Sequence, residues 1–247
     1  MELPQCVMKK VILATVFASM LAMPAMAETI RMGTEGAYPP YNFINDKNEV
    51  DGFEREVGDE ICARANLDCV WVVNDWDSII PNLVSGNYDT IIAGMSITAE
   101  RDEVIDFTQE YFPPSPSMYV GLSDSSVDVN GGIIAAQTGT IQAGHVASSG
   151  ATLVEFATPD ETVAAVRNGE ADAVLADGDY LMPIVSESGG ELAVVGQVGI
   201  GGGIGMGIRE SDTALKAKMD TAIASMKSDG TLNTMIKKWF GDDALTF

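Results

Sequence analysis

Gly94-Met95-Ser96-Ile97-Thr98-Ala99-Glu100-Arg101 follows a run, Tyr88 to Ala93, that reads as a buried strand. Thr98 is placed to cap a short helix, because its hydroxyl can accept a bond from the free amides of the first turn. Ser96 then falls at the strand end and Arg101 on the first turn. A hydroxyl, free backbone groups and a guanidinium beside a helix N-terminus suit a carboxylate. An arginine in a first turn is ordinarily a surface residue, so the surrounding chain decides its meaning.

Upstream of this stretch the pattern repeats. Ile30 to Thr34 reads as a strand, and Glu35 to Tyr41 as a loop stiffened by Pro39 and Pro40. Phe43 to Val50 reads as a hairpin turning at Asn45 to Asn48. Phe53, Val57 and Ile61 recur at helical spacing. A strand at Cys69 to Val73 and a helix at Ser78 to Ser85 lead back to Tyr88. Glu54, at a helix start, reads as a residue that stabilises the helix dipole. Alternating strands and helices predict an α/β fold with mostly parallel sheets. Ligands in such sheets bind beyond the carboxyl ends of the strands. The Glu35 loop, Trp76 and the Gly94 stretch all follow strands, so they face one cleft.

Downstream, Tyr111 to Pro116 is proline-rich and reads as a boundary. A second series follows. It has a strand at Ile133 to Ala136, a turn at Gln137 to Thr140 and a helix from Ile141 to Ser148. Then come a strand at Thr152 to Phe156, a helix at Pro159 to Asn168 with a Thr158/Glu161 capping box, and a strand ending at Asp177. Val194 to Val198 is a further strand, and the glycine-rich Gly199 to Gly207 reads as a crossing segment. Ser211 is placed to cap a helix lined by Leu215, Met219, Ala222 and Met226, which Gly230 stops. A last helix ends at Gly241. These helices have no sheet of their own and are expected to pack back on the first lobe.

The chain has 247 residues and a formal net charge of -22. That charge disfavours nucleic acid and anionic membranes as partners. Lys9 and Lys10, the apolar run Val11 to Met23 and Ala25-Met26-Ala27 form a signal-peptide pattern over residues 1–27, with Met8 as an alternative start to Met1. Export to the periplasm is the expectation. Cys62 and Cys69 should pair in an oxidising compartment, the alternatives being free thiols or half of a metal site. His145 is the only histidine, so no metal is expected. No cofactor is expected either, and the chain is expected to be a monomer.

The order and spacing of several motifs carry a family resemblance. They are Gly33-Thr34-Glu35 through Tyr38 to Pro40, Asp51-Gly52-Phe53-Glu54, Cys62 with Cys69, and Asp75-Trp76-Asp77. Gly94 to Arg101, Thr138-Gly139-Thr140, Asp172 to Asp177, and Asp229 through Gly241 complete the set. The chain resembles periplasmic solute-binding proteins for polar amino acids, of the lysine/arginine/ornithine, histidine and glutamine type. The resemblance implies a two-lobe fold of type II with two hinge crossings. Residues 28–112 and 204–247 would form lobe 1, and 113–203 lobe 2. It implies hinge closure on a free amino acid and delivery to the membrane permease of an ABC importer.

The resemblance also implies roles. Arg101 would grip the α-carboxylate, helped by amides near Ser96 and Thr140. Asp177 would accept the α-ammonium with Ser96 and the Gly94 carbonyl. Tyr38 and Trp76 would sandwich the side chain, Glu35 would meet its far end, and Gln137 and Gln142 would line the second wall. The chain departs from cation-binding members at Ala93-Gly94 and Gln137. A carboxylate at Glu35 favours a cationic side chain, and two flat rings favour arginine ahead of lysine or ornithine. Glutamine and then histidine are the alternatives. A dehydratase-like enzyme on the same fold is the competing class, but it needs a positioned acid or base that the motifs do not supply. A sensor ectodomain is a third reading.

Overall fold

Strand β1 (Thr29–Thr34) buries Ile30 and Met32 on one face and is the seed of the first sheet. The computed structural model describes Met1 and residues 29–247, and the expected signal peptide lies outside the described residues. After β1 come β2 (Ala37–Tyr38), β3 (Asn42–Ile44) and β4 (Val50–Asp51), which pair into a small antiparallel sheet of their own. Helix α1 (Phe53–Ala65), β5 (Asp68–Val73), α2 (Ile79–Val84), β6 (Thr90–Ile91), α3 (Ala99–Asp102) and β7 (Asp106–Phe107) follow. The second sheet uses β8 (Ser117–Leu122), β9 (Ile133–Gln137), β10 (Thr152–Phe156), β11 (Ala173–Asp177) and β12 (Leu192–Val198). Its helices are α4 (Ile141–Ala147), α5 (Pro159–Arg167) and α6 (Gly178–Glu187). Strand β13 (Gly207–Ile208) returns to the first sheet, and α7 (Thr213–Asp229) and α8 (Thr231–Phe240) end the chain.

The two sheets have matching construction. The first runs β5-β1-β6-β13-β7 and the second β10-β9-β11-β8-β12. In each, the first three strands are parallel and the fourth is antiparallel. The fourth strand is in both cases the one delivered by a chain crossing: β8 on the way out, β13 on the way back. The crossings are pinned to each other, since Ile204 bridges both Phe112 and Ser96. Each sheet is covered on both faces. Ile30, Met32, Phe53, Val57 and Ile61 lie in a core that continues to Met219, Met226 and Ile236. Ile79, Leu83, Tyr88 and Ile91 fill the other face of the first sheet, and Ile134, Val146 and Leu175 the corresponding face of the second. Cys62 and Cys69 form a disulfide joining the end of α1 to β5.

Several local expectations hold. Thr98, Thr140 and Thr158 accept bonds from the first turns of α3, α4 and α5, and both halves of the Thr158/Glu161 box are present. Others need correction. The strand expected over Tyr88 to Ala93 is only two residues long as β6, because the chain turns away after Ile91 toward the Gly94 turn. Ser211 does not cap α7: the cap position is Asp212, without a side-chain cap bond, and the Ser211 hydroxyl donates to that aspartate. Glu54 lies in the first turn of α1, as expected, but it is also a fully buried carboxylate. Strand β8 and helix α6 were not expected. α6 begins at Gly178 and contains Pro183, which masks its helical signal.

Candidate ligand-binding site

The cleft between the two sheets lies beyond the carboxyl ends of β1, β5, β6, β9 and β11. It is lined by Glu35, Tyr38, Trp76, Gly94, Ser96, Arg101, Gln137, Thr140, Gln142 and Asp177, which are all of the sequence candidates. Ala93 and Ile141 line it as well and were not among them.

The Arg101 end is built by local geometry. Thr98 Oγ1 accepts from the Arg101 amide at 3.2 Å and starts α3. The guanidinium then folds back. Nη1 donates to the Ser96 carbonyl at 2.8 Å, and Nη2 to the Gly139 carbonyl across the cleft at 3.4 Å. Each terminal nitrogen has a further N–H for a ligand. The guanidinium also sits 5.4 Å from the Trp76 ring centroid. Burial lowers its pKa to about 10, and Asp177 and Glu100 oppose the shift, so it stays charged at neutral pH. Gly94 has φ 61°, a left-handed conformation, and a Cβ there would lie 3.3 Å from Tyr38 Cδ1. Both facts favour glycine at this position.

Asp177 occupies the N-cap position of α6 yet makes no side-chain cap bond there. Its carboxylate turns into the cleft instead. Oδ1 accepts from Gln142 Nε2 at 2.8 Å, and Oδ2 from the Tyr38 hydroxyl at 2.9 Å. Burial raises its pKa to about 6, against the Tyr38 and Gln142 hydrogen bonds and Arg101, which lower it. At the far end, Glu35 Oε1 accepts from Gln137 Nε2 at 2.6 Å. Burial raises Glu35 to about 7; the Gln137 bond lowers it, while Asp75, Glu54 and Asp160 raise it further by repulsion.

Tyr38 stacks on Tyr180, with centroids 4.4 Å apart, while Trp76 has the Arg101 guanidinium over its ring. Tyr180 gave no signal in the sequence because its helix was not expected. Glu54 supports the site from behind. Its carboxylate accepts from the Gly94 amide at 2.6 Å, from Asn42 Nδ2 at 2.7 Å and from the Tyr111 hydroxyl. Asn42 Oδ1 in turn accepts from the Gly36 amide at 2.7 Å. One buried carboxylate thus fixes both the Glu35 loop and the Gly94 turn.

Residues 30–242 match the family described as bacterial extracellular solute-binding proteins, family 3. The chain belongs to that family. Among solved structures, this solute-binding protein is similar to a periplasmic His/Glu/Gln/Arg/opine family-binding protein from Silicibacter pomeroyi in complex with lysine. The two are 75% identical with a TM-score of 0.86, over 88% of this chain and 100% of that one. Among curated relatives, the putative ABC transporter arginine-binding protein 2 of Escherichia coli (strain K12) is 31% identical over 94% of this chain and 99% of its own length. The lysine/arginine/ornithine-binding periplasmic protein of the same strain is 29% identical over 92% of each chain. The fold is the two-lobe periplasmic binding protein fold.

Proposed function

We propose that this solute-binding protein is the periplasmic component of an ABC importer and captures a cationic amino acid by closing its lobes. Among the described residues, lobe 1 would comprise 29–112 with 204–247, and lobe 2 113–203. The observation that carries the reading is the charge pattern of the cleft. Two carboxylates, Asp177 and Glu35, flank one guanidinium, Arg101. A ligand with two cations and one anion complements that set. The free zwitterion of a basic amino acid has this pattern, with its α-carboxylate at Arg101, α-ammonium at Asp177 and side-chain cation at Glu35. Charge-assisted bonds of this kind contribute about 1.5–3 kcal/mol each away from water.

The relatives that bind arginine, lysine and ornithine support the same class. A neutral amide could also donate to Glu35, which keeps glutamine as the second reading. The site offers no acid or base apart from these ligand contacts, so binding without chemistry is favoured over a dehydratase. Calorimetric titration with lysine, ornithine, arginine, glutamine, histidine and glutamate tests the assignment. The basic amino acids should bind and glutamate should not. A preference for glutamine over every basic amino acid would overturn it.

A further inference from the structure

We infer that Gln137 sets the side-chain specificity of the site, by occupying part of Glu35 so that the far end accepts a lysine or ornithine ammonium better than an arginine guanidinium. The inference rests on the cationic-amino-acid reading. Gln137 ends β9 in the second sheet and Glu35 follows β1 in the first, so their bond spans the cleft. Both residues are buried, at 8% and 9% exposure. The Gln137 amide nitrogen donates to Glu35 Oε1 at 2.6 Å and to the Ala157 carbonyl at 3.1 Å. Both of its hydrogens are therefore committed. Two acceptors on one nitrogen also fix the direction of the amide, because its oxygen cannot take that place.

The consequence falls on Glu35. A guanidinium is matched best by a carboxylate offering both oxygens to its planar fork. Here one oxygen already carries a short bond from Gln137. The other oxygen still suits a compact ammonium, which needs no second coplanar acceptor. Swinging Gln137 aside would free the fork site but leave two buried donors without partners. The Trp76 ring already has the Arg101 guanidinium over it, at 5.4 Å from the centroid, so less of it is left for a second guanidinium. This reverses the order given by the sequence, in which arginine came first. The filter is assembled only when the lobes meet, because its two halves belong to different sheets.

The test is calorimetric titration of L-lysine and L-arginine into wild type, Gln137→Met and Gln137→Leu, with folding checked by circular dichroism. Wild type should prefer lysine by roughly tenfold. Both substitutions remove the amide and free Glu35 Oε1, and the lysine-to-arginine affinity ratio should fall by about fivefold or more. A wild type that binds arginine as well as lysine overturns the inference without any variant. So does a ratio that stays within about twofold of wild type in a folded variant. Absence of binding to every basic amino acid would instead remove the functional reading beneath it.

Discussion

Arg101 reaches the cleft already oriented, with one N–H on the Ser96 carbonyl and another on Gly139. Its substitution should therefore remove the carboxylate grip without disturbing a core. Arg101→Ala should weaken every amino acid by about a hundredfold or more, from two charge-assisted bonds lost. Asp177→Asn should weaken them by roughly thirtyfold or more, since the charge opposite the ammonium is lost and one of the two oxygens that accept from Gln142 and Tyr38 becomes a donor. Wild-type affinity in either variant, measured by calorimetry, would show that residue has no ligand role. Glu35 adds a pH dependence. Its pKa is raised to about 7 and that of Asp177 to about 6, chiefly by burial. A cationic ligand binds the ionised forms, so binding releases protons and affinity increases with pH. Lysine affinity should fall about tenfold from pH 8 to pH 6 on account of Glu35 alone, the fraction ionised being the whole cause. Glutamine, with no far cation, should fall less. Titrations at the two pH values check both statements, and a flat lysine profile would mean Glu35 is ionised throughout.

At the scale of elements, the legible features were those written in neighbouring residues. The caps of α3, α4 and α5 need only a threonine and the amides just after it. The cleft residues were legible because each follows a strand in a parallel series. The Glu54 network was not legible because its partners are 12, 40 and 57 residues away, beyond any local period. Helix α6 was missed because a glycine start and an internal proline look like a loop. The Glu54 network is directional: Gly36 N–H binds Asn42 Oδ1, and Asn42 Nδ2 binds Glu54. Glu54→Gln leaves an amide donor facing Asn42 or the Gly94 amide, and Asn42 cannot flip without losing Gly36. That substitution should lower stability by about 1–3 kcal/mol in urea unfolding, with weaker ligand binding from a displaced Gly94 turn. Unchanged stability would mean that the network rearranges freely. Joint replacement of Cys62 and Cys69 by serine should cost about 2–3 kcal/mol, as expected for so short a closed loop. Ligand binding should be kept, because the bridge joins α1 to β5 on the side of the sheet away from the strand ends that form the cleft.

For the whole molecule, what matters is how the two sheets are held together. Glu35 with Gln137, Tyr38 with Asp177, Tyr41 with Asp179 and Arg101 with Gly139 are hydrogen bonds across the cleft. The Tyr38–Tyr180 stack adds apolar contact between the same two parts. This is a closed arrangement, and the protein itself supplies part of its closing energy. A ligand that touches both walls favours closure by its differential affinity for the two forms. The Tyr38 hydroxyl contributes to closure independently of the ligand, because it donates to Asp177 and accepts from its amide. Tyr38→Phe removes those bonds and keeps the stack. At about 1 kcal/mol for each net hydrogen bond, the closed-to-open ratio without ligand should fall roughly thirtyfold. Apparent affinity should fall with it when the ligand-free protein is mostly open, since closure then has to be driven by binding alone. Small-angle scattering separates the cases. Wild type should show a smaller radius of gyration with saturating lysine, and Tyr38→Phe should show a larger ligand-free radius than wild type and the same liganded one. If the wild-type radius does not change while the variant's ligand-free radius is larger, the resting protein is already closed and ligand must enter through a minor open form. If neither radius responds, the two sheets move as one body and the hinge reading of the two crossings fails.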